Sequence, residues 1–297
     1  MSVPSPRPVL LLDYWSFFAS LLMAQPSGFT AMSFCRCFSS LGCAELSLDE
    51  TLALAQKHGI PLVELRALGG TVELPAYFSA QYGSPANLAA HVRGSPVQIA
   101  ALDASLHLVG TTQTERDQLM ALAPWAEALG VERIRVFDGG KTASPSEITA
   151  AGETLGWWKA LRKERGWRTE FMVETHDSLY TSEAIVLFVT AFPGTAILWD
   201  AHHTWRKGGE DPVLTWKAIR TNVVHVHVKD SIGVPSMRHP YTYVLPGEGE
   251  FPIAPLRAVL RANGFTGPVS IEWEKLWHPY LPSLDRALAL AAERQWW

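Results

Sequence analysis

The sequence predicts a single-domain α/β protein, a (β/α)8 TIM barrel, and three observations lead to this prediction. Short apolar runs rich in β-branched residues alternate with longer amphipathic stretches, a pattern typical of parallel strands joined by helices. No linker rich in proline, glycine or serine interrupts the alternation. The chain has 297 residues, which suits one barrel with insertions, because such barrels usually contain about 250 residues.

The first thirty residues precede the barrel and form an apolar extension. Residues 9–24 are almost wholly apolar and are interrupted by Asp13. This stretch is too short and too interrupted for a membrane span, and residues 23–26 make a poor cleavage site for a secretory signal. We expect a packed helix within residues 1–30, with a signal or anchor as the alternative. The barrel domain is expected over residues 31–297.

Eight predicted strands and their helices follow in order. The strands are expected at residues 32–38, 62–66, 97–102, 133–137, 170–175, 196–200, 223–229 and 268–273. Ser47 and Glu50 have the spacing of a capping box that starts the first helix, and Gly59 suits its end. Ser144 followed by Pro145 is typical of a helix start, because the missing N–H of proline is not needed there. Helical spacing extends over residues 114–129, 144–166 and 283–295.

The seventh strand carries three polar side chains on one face. Side chains alternate between the two faces of a strand, so His225, His227 and Lys229 share the face toward the barrel interior. Two histidines and a lysine are costly to bury without partners. Functional residues of such barrels lie at the carboxyl ends of the strands. We therefore expect a functional site at the end of this strand.

The neighbouring strands also end in groups that can bind a metal. Glu174 and His176 share a face of the fifth strand, Asp200 ends the sixth before His203, and Glu272 lies on the eighth. Oxygen and nitrogen donors of this kind suit Mn²⁺, Mg²⁺, Co²⁺ or Zn²⁺. Three carboxylates at one place repel one another unless a cation neutralises them. The sequence thus favours a divalent metal over a hydrogen-bonded cluster without one.

Net charge and cysteine spacing argue against a nucleic-acid-binding protein, a disulfide framework and a structural zinc site. The formal net charge is −4 and no basic run stands out, so we expect no nucleic-acid partner. Cys35, Cys37 and Cys43 lie in one short stretch, with neither the count of a disulfide framework nor the spacing of a structural zinc site. We interpret them as free thiols in a reducing compartment. A cytoplasmic protein without membrane association is expected, and a homo-oligomer is compatible with the sequence.

Five motifs in chain order resemble the xylose isomerase-like superfamily of sugar isomerases and epimerases, which also contains the endonuclease IV group. The resemblance runs from about residue 31 to the C-terminus. Its motifs are Glu174-Thr-His, Asp200-x-x-His203, His225-Val-His-Val-Lys-Asp230, Leu245-Pro-Gly-Glu-Gly-Glu250 and Ser270-Ile-Glu-Trp-Glu274. The resemblance implies that Glu174, Asp200, His227 and Glu272 are the ligands of one divalent metal. Mn²⁺ is the preferred ion, with Mg²⁺, Co²⁺ or Zn²⁺ as alternatives. The Gly247-Glu-Gly249 turn resembles a structural loop of the superfamily.

The resemblance also implies a reaction and a set of substrate contacts. A small sugar or polyol binds the metal through adjacent oxygens, and the metal stabilises an enediolate. Glu174 and Glu272 then remove and return a proton. Glu64 and Arg66 share one face of the second strand, where they either line the barrel mouth or form an internal ion pair. The expected substrate-binding residues are His203, His176, Lys229, His225, Glu64, Arg66 and Arg238.

Departures from the ketose 3-epimerases of this superfamily leave the substrate open. Tyr180 stands in place of a second glutamate and Gly233 in place of an arginine, for which Arg238 is a candidate substitute. We expect an isomerase or epimerase that abstracts a proton next to a carbonyl. One alternative is a metal-dependent lyase or dehydratase acting on a keto-sugar or keto-inositol, and another is a non-catalytic barrel used as a binding or partner subunit. An endonuclease IV site would need additional histidines on the second to fourth strands.

Overall fold

A computed structural model describes residues 34–297, and its central feature is a closed barrel of parallel strands. The strands of this part of the chain are β1 (Cys35–Ser39), β2 (Leu62–Leu65), β3 (Gln98–Val109), β4 (Arg133–Gly139), β5 (Glu170–Glu174), β6 (Ala196–Asp200), β7 (Val223–Val228), β8 (Asp230–Ile232), β9 (Thr242–Val244) and β10 (Pro268–Ile271). Strands β1 to β7 follow one another around the barrel, and β10 pairs with β7 and β1 to close it. The predicted barrel and its eight strands are confirmed.

Helices connect the strands. They are α1 (Leu48–Lys57), α2 (Leu74–Tyr82), α3 (Pro85–His91), α4 (Gln113–Leu129), α5 (Pro145–Arg165), α6 (Ser182–Ala191), α7 (Ala201–Arg206), α8 (Pro212–Ile219), α9 (Ile253–Ala262) and α10 (Leu284–Glu293), with a 3-10 turn at Ser40–Cys43. The predicted capping box starts α1, because Ser47 Oγ accepts from the N–H of Glu50 and Glu50 Oε2 accepts from the N–H of Ser47. Ser144 and Glu147 start α5 in the same way.

An antiparallel hairpin of β8 and β9, which the sequence did not predict, follows β7 directly. Asp230 anchors the loop after it, since its carboxylate accepts from the N–H groups of Ser231, Gly247, Gly249 and Phe251. A Cβ at Gly249 would lie 2.1 Å from Asp230 Oδ1. The glycine turn is therefore part of the anchor that holds this loop over the carboxyl end of the barrel.

The apolar core lies mainly between the barrel and the helices. Val226 and Val228 of β7 belong to this large cluster, as expected from the alternation of side chains along the strand. Inside the barrel, Ala101, Met172 and Leu198 form a second, small apolar cluster. Met172 and Leu198 lie two residues before Glu174 and Asp200, the last residues of β5 and β6. The polar ends of these strands therefore lie next to the small apolar cluster inside the barrel.

The predicted extension over residues 1–30 lies outside the described residues. Among residues 34–297, no helix is long and apolar enough to cross a membrane. Cys35, Cys37 and Cys43 are free thiols, as predicted, and the last two are buried.

Candidate active site

Four side chains that the resemblance identifies as metal ligands converge at the carboxyl end of the barrel. Glu174 ends β5, Asp200 ends β6, His227 lies in β7, and Glu272 follows β10. One donor atom from each lies within 4.8 Å of the donor atoms of the others. All four side chains are buried. They converge because β5, β6, β7 and β10 are neighbours in the closed sheet. We call these four residues the quartet.

The donor set of the quartet fits a divalent cation. Among the described residues, His227 Nδ1 is buried without a hydrogen-bond partner, whereas Glu174 Oε2 lies 3.3 Å from Arg135 Nε and Asp200 Oδ2 lies 2.8 Å from Lys229 Nζ. His227 Nδ1 lies 3.7 Å from Glu174 Oε1 and 3.4 Å from Glu272 Oε2. A buried polar atom without a partner costs about 1–3 kcal/mol, and a cation bound to His227 Nδ1 would remove that cost. Carboxylate oxygens and an imidazole nitrogen are suitable ligands for hard or borderline ions.

Lys229 provides a positive charge within the same cluster. Its Nζ lies 2.8 Å from Asp200 Oδ2 and 2.7 Å from Glu274 Oε1, and it also contacts Glu272. Burial opposes ionisation, but the three carboxylates hold the pKa of Lys229 well above its ordinary value. The ammonium group therefore compensates part of the negative charge around the quartet.

Glu64 of β2 reaches across the barrel to both histidines of β7. Its carboxylate lies 3.0 Å from His225 Nε2 and 2.9 Å from His227 Nε2. His225 Nε2 is also 2.7 Å from Ser270 Oγ. Within the described residues Glu64 forms no ion pair with Arg66. The expectation of an internal Glu64–Arg66 ion pair is therefore wrong. Although burial opposes its ionisation, the two histidines hold the pKa of Glu64 below its ordinary value.

Arg135 of β4 pairs with Glu174 and was not among the expected site residues. Its Nε lies 3.3 Å from Glu174 Oε2, and its Nη2 lies 3.7 Å from Asp103 Oδ2. Burial and the neighbouring Glu272 oppose ionisation of Glu174, but Arg135 and His227 hold its pKa below the ordinary value. An arginine inside an apolar strand was a sequence signal of the same kind as the histidines of β7.

A cavity of about 420 Å³ opens at this end of the barrel and suits a small molecule. Of the expected substrate-binding residues, His176, His203, Arg66 and Arg238 line it, together with Glu174 and Glu272 of the quartet. Lys229, His225 and Glu64 do not line the cavity and are buried. A larger groove of about 520 Å³ lies between the amino ends of β4 and β5, away from the quartet.

Two histidines on the cavity wall differ in their surroundings. His203 Nδ1 lies 3.1 Å from Asp200 Oδ2 and 3.2 Å from the carbonyl oxygen of Thr175. Burial and Lys229 hold the pKa of His203 well below its ordinary value, so its ring is neutral. His176 Nδ1 lies 2.9 Å from Asp177 Oδ1.

Asp138 at the end of β4 positions the loop that carries His176, and sequence analysis did not identify this role. Its two carboxylate oxygens accept from the N–H groups of His176, Asp177, Ser178 and Leu179 at 2.6–3.2 Å. Four successive backbone donors thus converge on one buried side chain. The loop after β5 is held in place directly beside Glu174.

The fold of the chain is similar to the folds of several solved structures. The chain is similar to a probable 3-DHS dehydratase, AsbF, from Bacillus anthracis, with 16% identity, a TM-score of 0.69 and coverage of 87% of this chain and 99% of that one. It is similar to the zinc-bound IOLI protein, with 18% identity, a TM-score of 0.68 and coverage of 88% and 96%. It is also similar to a D-tagatose 3-epimerase-like protein, with 17% identity, a TM-score of 0.60 and coverage of 88% and 99%.

Identities this low show the shared fold alone. No curated protein matches the sequence significantly. The family model described as xylose isomerase-like TIM barrel, in contrast, matches residues 28–297. The match begins before the first barrel strand and includes the whole barrel and every residue of the quartet. The chain therefore belongs to the xylose isomerase-like TIM-barrel family.

Proposed function

We propose that the protein is a divalent-metal-dependent enzyme of the sugar isomerase or epimerase type. It removes a proton next to a carbonyl of a small carbohydrate or polyol derivative. The observation that carries this proposal is the convergence of Glu174, Asp200, His227 and Glu272, with His227 Nδ1 unpartnered among the described residues, beside a cavity of small-molecule size. The similar IOLI protein binds a zinc atom, which is consistent with a divalent ion in a protein of this fold.

In this proposal the quartet holds the ion, with Mn²⁺ as the first candidate. A bound divalent ion supplies Lewis-acid polarisation of the substrate carbonyl. Glu174 and Glu272 both line the cavity and are ion-paired with Arg135 and Lys229 respectively. Ion pairing keeps the two carboxylates charged, so one can accept the proton from carbon and the other can return it.

Two further residues position the substrate. His203 uses Nδ1 for contacts with the protein and also lines the cavity, so its other ring nitrogen is available to a substrate hydroxyl. Arg238 lines the cavity from the segment between β8 and β9. Lys229 acts from beneath the cavity wall, where its contacts with Asp200 and Glu272 hold both carboxylates in place.

A lyase or dehydratase acting on a keto-sugar or keto-inositol is the second candidate, and one observation favours it. Tyr180 and Gly233 replace two residues of the ketose 3-epimerases, and neither lines the cavity. Elimination begins with the same proton abstraction and differs in the loss of a neighbouring hydroxyl. The similarity to a probable dehydratase is consistent with this candidate.

Elemental analysis of the purified protein tests the metal site. We expect about one equivalent of a divalent metal in the natural chain and none in an Asp200→Asn/His227→Ala double variant. The matched control is Asp49→Asn/His91→Ala, which removes an exposed Asp–His pair at 2.6 Å and should leave the metal content unchanged. A protein that stays metal-free after incubation with Mn²⁺, or a double variant that keeps its metal, would refute the proposal.

Proton NMR in D2O tests the chemistry on the metal-loaded protein. Exchange of the C–H next to the carbonyl is the step that isomerisation, epimerisation and elimination share, so a panel of ketoses and keto-inositols reports all three. The product then separates them, because only elimination yields an unsaturated compound. If the metal-loaded protein catalyses no exchange with any compound of the panel, the result would contradict the proposed reaction and favour the alternative of a non-catalytic barrel used for binding.

A further inference from the structure

Arg66 is a buried cation without an acidic partner. The residue is 7% exposed and lines the cavity beside the quartet. Its Nη2 donates to Ser105 Oγ at 2.9 Å, whereas the buried Nη1 has no hydrogen-bond partner among residues 34–297. In the part of the chain that the structure describes, no carboxylate lies within ion-pairing distance of this guanidinium.

The other buried cations of the barrel mouth have acidic partners. Arg135 is paired with Glu174 and Asp103, and Lys229 is paired with three carboxylates. Burial, together with the repulsion from Arg135, lowers the pKa of Arg66 to about 10, which leaves it charged at neutral pH. These carboxylates are already paired with Arg135 or Lys229, and a bound metal would also be held by the carboxylates of the quartet. No carboxylate of this group is therefore left to neutralise Arg66.

The backbone holds Arg66 in this position. Its N–H and that of Ala67 both donate to Ser40 Oγ, at 2.9 and 3.1 Å. Since Ser105 Oγ accepts from Nη2, the hydroxyl hydrogen of Ser105 is free to donate to a ligand. Arg238, which also lines the cavity, forms no ion pair with any described residue. Two cations therefore face this cavity without acidic partners.

We propose that Arg66 binds an anionic group of the substrate, so that the substrate is a sugar acid or a sugar phosphate rather than a neutral sugar. This inference rests on the proposed function for the reaction itself and adds the charge of the molecule. A guanidinium binds carboxylate or phosphate oxygens through paired, charge-assisted N–H donors. Nη1 of Arg66 and the hydroxyl of Ser105 are the donors available for that group, and Arg238 adds positive charge at the cavity entrance.

Isothermal titration calorimetry with three probes tests the proposal on Mn²⁺-supplemented protein. D-ribulose is neutral, D-ribulose 5-phosphate carries a phosphate and D-ribonate carries a carboxylate. We expect at least one charged probe to bind the natural protein about tenfold or more tightly than D-ribulose. Arg66→Met should weaken that probe by about 10- to 100-fold, as expected for losing hydrogen bonds to a charged group, and should leave D-ribulose within about twofold.

Two further variants provide the controls. Arg66→Lys keeps the positive charge but loses the paired donors, so it should bind the charged probe with intermediate affinity. Arg133→Gln removes one positive charge from the amino end of β4, where the one acidic partner of Arg133 among the described residues is Glu132, and should change no affinity. The comparison of probes on the natural protein needs no variant, so it decides the proposal even if Arg66→Met does not fold.

Three results would overturn the inference. They are equal affinity of the natural protein for neutral and charged probes, an equal loss of all probes in Arg66→Met, and no binding of either charged probe at millimolar concentration. The elemental analysis of the purified protein distinguishes failure of this inference from failure of the proposed function. Arg66-dependent anion binding by a protein that takes up no metal would support this inference and refute only the metal-dependent reaction.

Discussion

His227 Nε2 lies 2.9 and 3.1 Å from the two carboxylate oxygens of Glu64, and this contact determines which ring nitrogen faces the rest of the quartet. An ionised carboxylate only accepts hydrogen bonds, so Nε2 carries a proton. Nδ1 then faces Glu174 and Glu272 at 3.7 and 3.4 Å. Metal-binding histidines are commonly oriented by a carboxylate on the opposite nitrogen, and Glu64 has the position for this role.

Glu64→Gln should weaken Mn²⁺ binding by about 10- to 100-fold, the usual effect of losing such an orienting group. Glutamine has almost the same volume, but its amide can present a donor to Nε2 and so favour the wrong tautomer. Competition with a fluorescent chelator measures the affinity. Glu73→Gln is the control, because the Glu73 side chain is exposed and, within the part of the chain that the structure describes, accepts only from Gln118 at 3.1 Å. An unchanged affinity in Glu64→Gln would show that Glu64 does not position His227.

Lys229→Met should destabilise the metal-free protein strongly, by about 3–5 kcal/mol. The substitution leaves Asp200, Glu272 and Glu274 without the buried ammonium that contacts all three. Added Mn²⁺ should therefore raise the melting temperature of the variant more than that of the natural protein. Differential scanning calorimetry with and without Mn²⁺ measures both effects.

The matched control for this change is Lys57→Met. Lys57 pairs with Asp285 on the surface at 2.6 Å, with 61% of its side chain exposed, and surface pairs contribute little to stability. Equal stability of Lys229→Met and the natural protein in the absence of metal would contradict the assigned role of Lys229.

The positions of the quartet could be predicted from the sequence because strand geometry is local. Alternation along β5, β6, β7 and β10 identifies the inward face, and parallel strands bring their carboxyl ends together. The partner of Glu64 could not be predicted in this way. Glu64 and Arg66 share one strand face, yet Glu64 contacts His225 and His227 across the barrel, a contact that exists only once the barrel closes.

The positions of the loops also could not be predicted from the alternation of apolar and polar residues. The hairpin of β8 and β9 and the loop after β5 are each held by one buried carboxylate, Asp230 and Asp138 respectively, that accepts several backbone N–H groups. An aspartate at the end of a strand has no periodic signal that separates this role from that of a metal ligand. The choice depends on which backbone donors the folded chain brings to it.

Asp138→Asn should lower the free energy of unfolding by about 1–3 kcal/mol. Asparagine keeps one acceptor oxygen but directs an NH2 group at N–H donors, including those of Ser178 and Leu179. Chemical denaturation measures the loss, and hydrogen exchange over residues 175–181 should become faster. Asp117→Asn is the control, since the Asp117 side chain accepts from Gln113 and from no other described residue. Exchange that is unchanged in this loop would show that Asp138 does not hold it.

Gly249→Ala should destabilise the protein by about 1–3 kcal/mol, as expected for overpacking. The added Cβ would lie 2.1 Å from Asp230 Oδ1 and 2.7 Å from the carbonyl oxygen of Ser231. Gly156→Ala is the matched control, because a Cβ at position 156 would have no described atom within 4 Å apart from its chain neighbours and the backbone of its own helix, and alanine favours the helix by about 0.5–1 kcal/mol. Similar urea denaturation midpoints for the two variants would contradict the assigned role of the turn.

Glu127 links the stability of the segment before β5 to pH. Its Oε1 accepts from the N–H groups of Arg168 and Thr169 at 2.8 and 2.5 Å, and from Thr169 Oγ1 at 2.6 Å. Although burial opposes ionisation, these contacts hold the pKa of Glu127 below its ordinary value. A carboxylate whose pKa is lower in the folded state stabilises that state above its unfolded pKa, which is about 4.3.

The difference in melting temperature between the natural protein and Glu127→Gln should therefore be largest at neutral pH. It should shrink as the pH falls below about 4, because protonation of Glu127 removes the same charge that the substitution removes. Glu132→Gln provides the comparison, since the Glu132 side chain is 80% exposed at the same end of the barrel and forms an ion pair with no described residue other than Arg133. A difference that stays constant between neutral pH and about pH 3 would show that the charge of Glu127 does not stabilise this segment.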